Sequence, residues 1–230
     1  MQIRHCATAA VLALALTSAQ ADTVTHTSNA LPLTDTDWSS FLDLQQFDLA
    51  LGNLQSVSIT LSSSLVGSLA AENRNPSPTT ITVGLASTVR LLFPDAGSGS
   101  SLQVAHAASR SFNAAAWDGT KDYAGTSGFR DGEILGDASI SSTYDSSAML
   151  QLFTGTGVVT TRVDAIGESQ RLGTGAFFTS FGNRTSAQAS VTYTYIHTDT
   201  AAPVPEPTTL ALMLAGLATV CMLGGRRQNR

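Results

Sequence analysis

The run WDGTKDYAGTSGFRDGE, residues 117–133, is the one place in this chain where aromatic rings, both signs of charge and glycines gather. Trp117 and Tyr123 offer flat faces that can stack on sugar rings, and Asp131 and Glu133 add carboxylates beside them. The plainer account of the same composition is a long solvated loop anchored by its aromatics. Two short acidic runs, Asp35-Thr36-Asp37 and Asp131-Gly132-Glu133, could furnish oxygens for calcium, a hard cation that prefers carboxylates and carbonyls. Neither run brings a third and fourth ligand at regular spacing, and Asp and Gly are also ordinary turn residues.

Other chemistry is thinly represented. There is no Gly-x-Ser-x-Gly elbow, no His-Glu-x-x-His helix and no Gly-x-x-x-x-Gly-Lys loop. His26, His106 and His197 stand far apart, and the last two fall on strand patterns, where a surface or hydrogen-bonded imidazole is the ordinary case. The two cysteines, Cys6 and Cys221, lie in terminal segments that leave or become embedded, so no cysteine nucleophile and no disulfide is expected in the domain between. Glycosidase chemistry needs two carboxylates across a cleft, and nothing singles out a pair among the many aspartates. The expectation is a non-enzymatic protein with no catalytic residue, no resident metal and no cofactor, calcium being the one ion kept open. A carbohydrate-binding module using the 117–133 loop is the alternative, and a secreted hydrolase comes third.

The elements that must position these residues read as strands. In LQSVSITL, Val57, Ile59 and Leu61 alternate with Ser56, Ser58 and Thr60. From 81 to 93 the odd positions run Ile81, Val83, Leu85, Ser87, Val89, Leu91 and Phe93, which is one apolar face of a long strand or of two strands joined by a bulge near Gly84. ASVTYTYIHT sets Val191, Tyr193 and Tyr195 against Ser190, Thr192 and Thr194. Shorter strands are expected over 102–108, 134–144, 149–153, 158–165 and 176–181, separated by turns such as NRNPSP, PDAGSGSS and RLGTG. Many short strands between Gly/Ser/Asn turns predict an all-β fold, an antiparallel β-sandwich first and an up-and-down barrel second.

The two ends carry different information. Arg4 and His5 precede an apolar stretch over 7–16, and Ala19-Gln20-Ala21 supplies the small-x-small pattern that signal peptidase accepts, which predicts a signal peptide over 1–21 cut after Ala21. Residues 208–225 carry no charge, enough for a helix of about 27 Å that can cross an inner membrane. Arg226 and Arg227 follow and hold the tail in the cytoplasm, so the domain over 22–202 lies outside. The chain has 12 Lys+Arg against 17 Asp+Glu. Arg4, Arg226, Arg227 and Arg230 belong to the ends, which leaves the domain more acidic still, with Lys121 its only lysine. No clustered cations are left for phosphate, so no nucleic-acid partner is expected.

Val204-Pro205-Glu206-Pro207, then the apolar helix, then Arg226-Arg227 resembles the PEP-CTERM sorting signal of Gram-negative bacteria. That resemblance implies recognition of Pro205, Glu206 and Pro207 by exosortase, a membrane-embedded, cysteine transpeptidase-like enzyme. The helix would be a temporary membrane hold, with the protein bound for the cell surface or extracellular matrix. The prolines keep the motif extended and out of the helix, where a protease can reach it. Inside the domain a second resemblance, over about 38–196, is to the choice-of-anchor E domain. It rests on Phe47, Leu51, Gly52 and Leu54, an Asn-centred turn over 72–78, Phe153-Thr154-Gly155-Thr156-Gly157, and a closing Val-Thr-Tyr-Thr-Tyr at 191–195. That family shares a displayed domain with varying C-terminal anchors and implies no catalytic residue. Residues 110–133 show least of its pattern. Together the resemblances imply signal peptidase and exosortase as processing partners, and extracellular polysaccharide of a biofilm as the setting.

Overall fold

Alternation of small polar and branched apolar residues builds most of the described residues of this chain into strands. The computed structural model describes residues 21–94 and 101–197. Its elements are β1 (Ala21–Thr27), β2 (Leu31–Asp35), β3 (Trp38–Gln45), a 3₁₀ turn (Leu49–Leu51), β4 (Asn53–Asn73), β5 (Thr79–Leu92), β6 (Ser101–Ala114), β7 (Gly128–Tyr144), a short α1 (Ser147–Leu152), β8 (Val158–Gly173) and β9 (Phe177–Ile196). The strands pair antiparallel in two sheets. The first runs β1-β9-β4-β7, with β2 continuing beside β9, and the second runs β3-β8-β5-β6. The up-and-down barrel is thereby set aside, because β4 pairs with β9 and β3 with β8 across long stretches of sequence. At one flank the edge strands β6 and β7 of the two sheets lie against each other, giving the sandwich a curled, half-closed form.

The inner faces make the core. Val57, Ile59 and Leu61 of β4 and Val191 and Tyr193 of β9 are fully buried, opposite Val89 and Leu91 of β5 and Val163 of β8. Phe47 and Phe153 close this cluster at one end, with Phe47 5.5 Å from the Tyr193 ring centroid. Removing one such aliphatic side chain costs about 2–5 kcal/mol. Buried Tyr193 donates its hydroxyl to the Gln45 carbonyl, and desolvation pushes that hydroxyl well above the usual phenol range. A smaller cluster, with Leu65, Leu69, Ile81, Val83 and Leu85, fills the opposite end. Between the two sit Ser63, Ser87, His106 and Thr185, all buried. The sheets come close here: a Cβ on Gly67 would lie 2.7 Å from Cδ2 of Leu85, so any larger residue there would push that leucine side chain aside.

Several expectations need correction. Residues 149–153 are not a strand, since residues 147–152 form α1. Met149 and Phe153 are one helical turn apart and both buried, and over so short an apolar run the periods of helix and strand cannot be told apart. The apolar face over 81–93 belongs to one long strand as read first, and its alternative, two strands joined by a bulge near Gly84, falls away because β5 keeps an unbroken register with both β6 and β8. The strand expected from 134 begins at Gly128, so Asp131 and Glu133 stand on β7 and not in a loop. Strands β1 to β3 had no counterpart in the pattern. Among the described residues no helix is long and apolar enough to cross a membrane. The expected membrane helix 208–225, Pro205, Glu206, Pro207, Arg226, Arg227 and the signal sequence through Ala19 lie outside the described residues. Ala21 opens β1, opposite Ile196.

Candidate functional site

At the end of the smaller core, neighbouring residues of β4 hold three loops. Glu72 faces outward from its sheet and yet is fully buried, because the β6–β7 loop folds down over it. Its Oε2 accepts the Asp122 amide at 2.9 Å and the Tyr123 amide at 2.6 Å, and its Oε1 accepts the Ser127 hydroxyl at 3.0 Å. A buried carboxylate is tolerated only when so supplied with donors. Asn73, also fully buried, points the other way. Its amide donates to the carbonyls of Ser77 and Ala115, and its oxygen takes both the backbone and the side-chain amide of Asn75. Asn75 in turn accepts the Ala176 amide of the β8–β9 turn and donates to the Thr174 carbonyl.

The loop over 115–127 has its own internal logic. Asp118 accepts the Thr120 amide and Asp122 the Ala124 amide, two Asx turns in succession. Tyr123 sits at φ 58, a left-handed backbone that few non-glycine residues adopt and that its bond to Glu72 holds in place. Gly128 is required where the loop returns, since a Cβ there would come within 2.9 Å of the Tyr123 and Ala124 backbone. Oxygens of Glu72, Asp118 and Asp122 all lie within 4.8 Å of one another, which makes them, among the described residues, a set that could hold a divalent cation.

The aromatic faces of this corner are already taken. Arg74 and Lys121 each lie 4.6 Å from the Phe178 ring centroid, and Arg130 lies 5.5 Å and Lys121 5.8 Å from that of Tyr123. Trp117 packs tilted against Phe178 at 5.9 Å. The loop is therefore clasped to the sheet by its own cations, with Trp117 left half-exposed at its rim.

Of the residues expected to form a ligand loop, Trp117 and Tyr123 come together here and Asp131 and Glu133 do not. Asp131 faces Arg110 at 3.6 Å across the exposed flank, and Glu133 stands exposed where the β4–β7 register shifts. In the Asp35-Thr36-Asp37 run, Asp37 accepts the Gly167 amide at 2.6 Å and Thr36 donates to the Asn183 carbonyl. Glu72 carries no local signal in the sequence, because its partners lie some fifty residues downstream (separations of 50, 51 and 55), beyond any local spacing rule. The aspartates four apart in WDGTKD were the only local hint.

His106 lies buried between the sheets with Nε2 3.1 Å from the Ser63 hydroxyl. Burial lowers its pKa against a smaller opposing pull from Asp137. His26 and His197 stand apart from it, near Tyr193 and Asp22 respectively.

Residues 203–228 match the family model of the PEP-CTERM protein-sorting motif. The chain thus carries an exosortase sorting motif, which marks export and a C-terminal membrane anchor before processing. No curated protein matches the chain. Among solved structures, the infectious bursal disease virus Gx strain structure is similar at 10% identity over 79% of this chain and 38% of that one, with a TM-score of 0.18. The VP2 subviral particle of the same virus is similar at 11% identity over 81% and 42%, with a TM-score of 0.19. The chain spans about two fifths of those viral chains, and a likeness so slight supports no inference about fold or role.

Proposed function

We propose that this is a non-enzymatic display protein: an exported β-sandwich of the choice-of-anchor E kind, released by exosortase to the cell surface or extracellular matrix of a Gram-negative bacterium. The observation that carries the reading is the sorting motif at 203–228, joined to a domain whose most buried carboxylate is spent on holding a loop. Glu72 takes three donors, and the aspartates beside it take backbone amides, which supports a structural task for the acidic cluster. The setting that suits such a protein is a polysaccharide matrix, where an acidic, disulfide-free sandwich stays soluble and apart from anionic lipid.

The test is a fractionation blot in a host with and without exosortase. The expected result is a shortened form outside the inner membrane only when exosortase is present. An unshortened form held in the inner membrane of both hosts overturns the reading. Carbohydrate binding through the 117–133 loop is the second reading, favoured by the half-buried Trp117 at its rim. It requires a Trp117→Ala variant to lose retention in a polysaccharide gel that slows the wild type.

A further inference from the structure

The outer face of the β1-β9-β4-β7 sheet is a lattice of hydroxyl groups. Because Val57, Ile59, Leu61, Val191 and Tyr193 point into the core, the residues between them point out. The pairing register lines them up: Thr25 lies opposite Thr192, Thr192 opposite Ser58 and Ser58 opposite Thr143, one rung across all four strands. The hydroxyls of Thr25 and Thr192 are 2.8 Å apart, and Thr143 donates to Ser58 at 3.2 Å. In the next rung Thr60 and Ser141 meet at 2.6 Å. Rungs repeat about every 7 Å along a strand and about every 4.8 Å between strands.

The same face runs on into a groove of about 550 Å³ lined by Leu31, Ser62, Asp137, Ser139, Ser186 and Gln188, with Asp137 its one charged group. The outer face of the opposite sheet has hydroxyls too, Thr82 meeting Ser111 across β5 and β6, but they are interspersed with charge: Arg90, Arg162, Asp164 and Glu168 stand on it, with Arg162 bonded to Asp164 at 2.8 Å.

We infer that this hydroxyl face and its groove form a docking surface for a neutral polysaccharide, a ligand class that rests on the matrix reading above. The chemistry is complementary in each respect. A serine or threonine hydroxyl both donates and accepts, as does every free hydroxyl of a neutral sugar. The rungs hold no charge to recruit an acidic polymer, and the acidity of the rest of the chain repels one. They also hold none of the aromatic, Met or Arg anchors on which a protein partner settles. Each hydroxyl contact competes with water and is weak alone, so binding depends on many in register and grows with chain length.

The test is co-sedimentation of the full chain, solubilised in mild detergent, with microcrystalline cellulose and with starch granules as neutral probes, and with a polygalacturonate gel as the acidic one. The chain is expected to sediment with a neutral probe and to stay free of polygalacturonate. Thr192→Val keeps shape and strand preference while removing one hydroxyl, and should weaken retention about five-fold. Thr60→Val should do the same, so the outcome does not hang on one variant's folding, which thermal melting checks. Thr88→Val, on the opposite sheet, should change nothing. Failure to sediment with either neutral probe overturns the inference, as does full retention of Thr192→Val and Thr60→Val. Loss in Trp117→Ala with both valine variants intact also overturns it, by moving the site to the loop. None of these results disturbs the export reading, which the fractionation blot decides separately.

Discussion

The Glu72 carboxylate holds the Tyr123 amide at 2.6 Å while Tyr123 sits at φ 58, so one buried charge maintains one strained turn. With the Asp122 amide and the Ser127 hydroxyl on the same carboxylate, the whole β6–β7 loop hangs from it. Glu72→Ala leaves those donors without a partner in a site closed to water. A loss of about 3 kcal/mol is expected, read as a lower urea midpoint. Glu72→Gln keeps an acceptor but turns an amide group toward backbone N–H, and should fall between. In a Trp38→Phe background, where emission comes from the loop alone, Trp117 fluorescence should shift ahead of the global transition in both variants. A midpoint unchanged in Glu72→Ala would mean that the loop is held by its cation–ring contacts instead.

Divalent ions should matter little to stability. The oxygens of Glu72 already receive three donors, and Asp118 and Asp122 each take a backbone amide, so the cluster does not depend on a cation to stay folded. Thermal melting of the detergent-solubilised chain with EDTA and with millimolar calcium should give one midpoint. A calcium-dependent rise would make Glu72, Asp118 and Asp122 ligands, and Asp118→Asn should then abolish that rise.

The pH dependence should centre on His106. Burial lowers its pKa in the folded state below the ordinary 6.5, outweighing Asp137. The unfolded chain therefore binds the proton first. Stability is complete above the unfolded pKa and falls as pH drops through it toward the folded value. Melting points measured from pH 7.5 down to 5 should decline below about 6.5, and His106→Gln should flatten that part of the curve. An identical decline in His106→Gln would assign it to the carboxylates.

Much of the sandwich was legible because its central strands carry their pattern without interruption. Val57, Ile59 and Leu61 alternate with hydroxyl residues, as do Val191, Tyr193 and Tyr195, and each of these apolar side chains is buried. Strand β1 was not legible: of the inward residues in ADTVTHT only Val24 is apolar, and an edge strand needs no more. The loop site was half legible. Trp117 and Tyr123 announced a loop by composition, but the residue that organises it, Glu72, reads locally as one more polar position at the end of a strand. Tertiary partners decided its role, and spacing along the chain cannot show them. Asp131 and Glu133 misled for the converse reason: a turn-like Asp-Gly-Glu sits at a β-bulge inside β7.

The sorting motif makes a prediction that separates recognition from anchoring. Within residues 203–228, Glu206 is the only carboxylate, standing between Pro205 and Pro207 just ahead of the apolar run. Glu206→Ala removes that charge and leaves both the hydrophobic length and the basic tail intact. A recognition pocket built for a carboxylate then keeps an unpaired charge of its own, which typically costs several kcal/mol (about 3–5) and is enough to abolish turnover. The variant should accumulate unprocessed in the inner membrane of an exosortase-bearing host. Replacing Arg226 and Arg227 with glutamate should act on a different step, since it removes the positive-inside bias that orients the helix. That variant should show disturbed topology by protease accessibility, with or without exosortase. If Glu206→Ala is cut and released like the wild type, recognition does not run through the carboxylate, and the prolines or the helix must carry it alone.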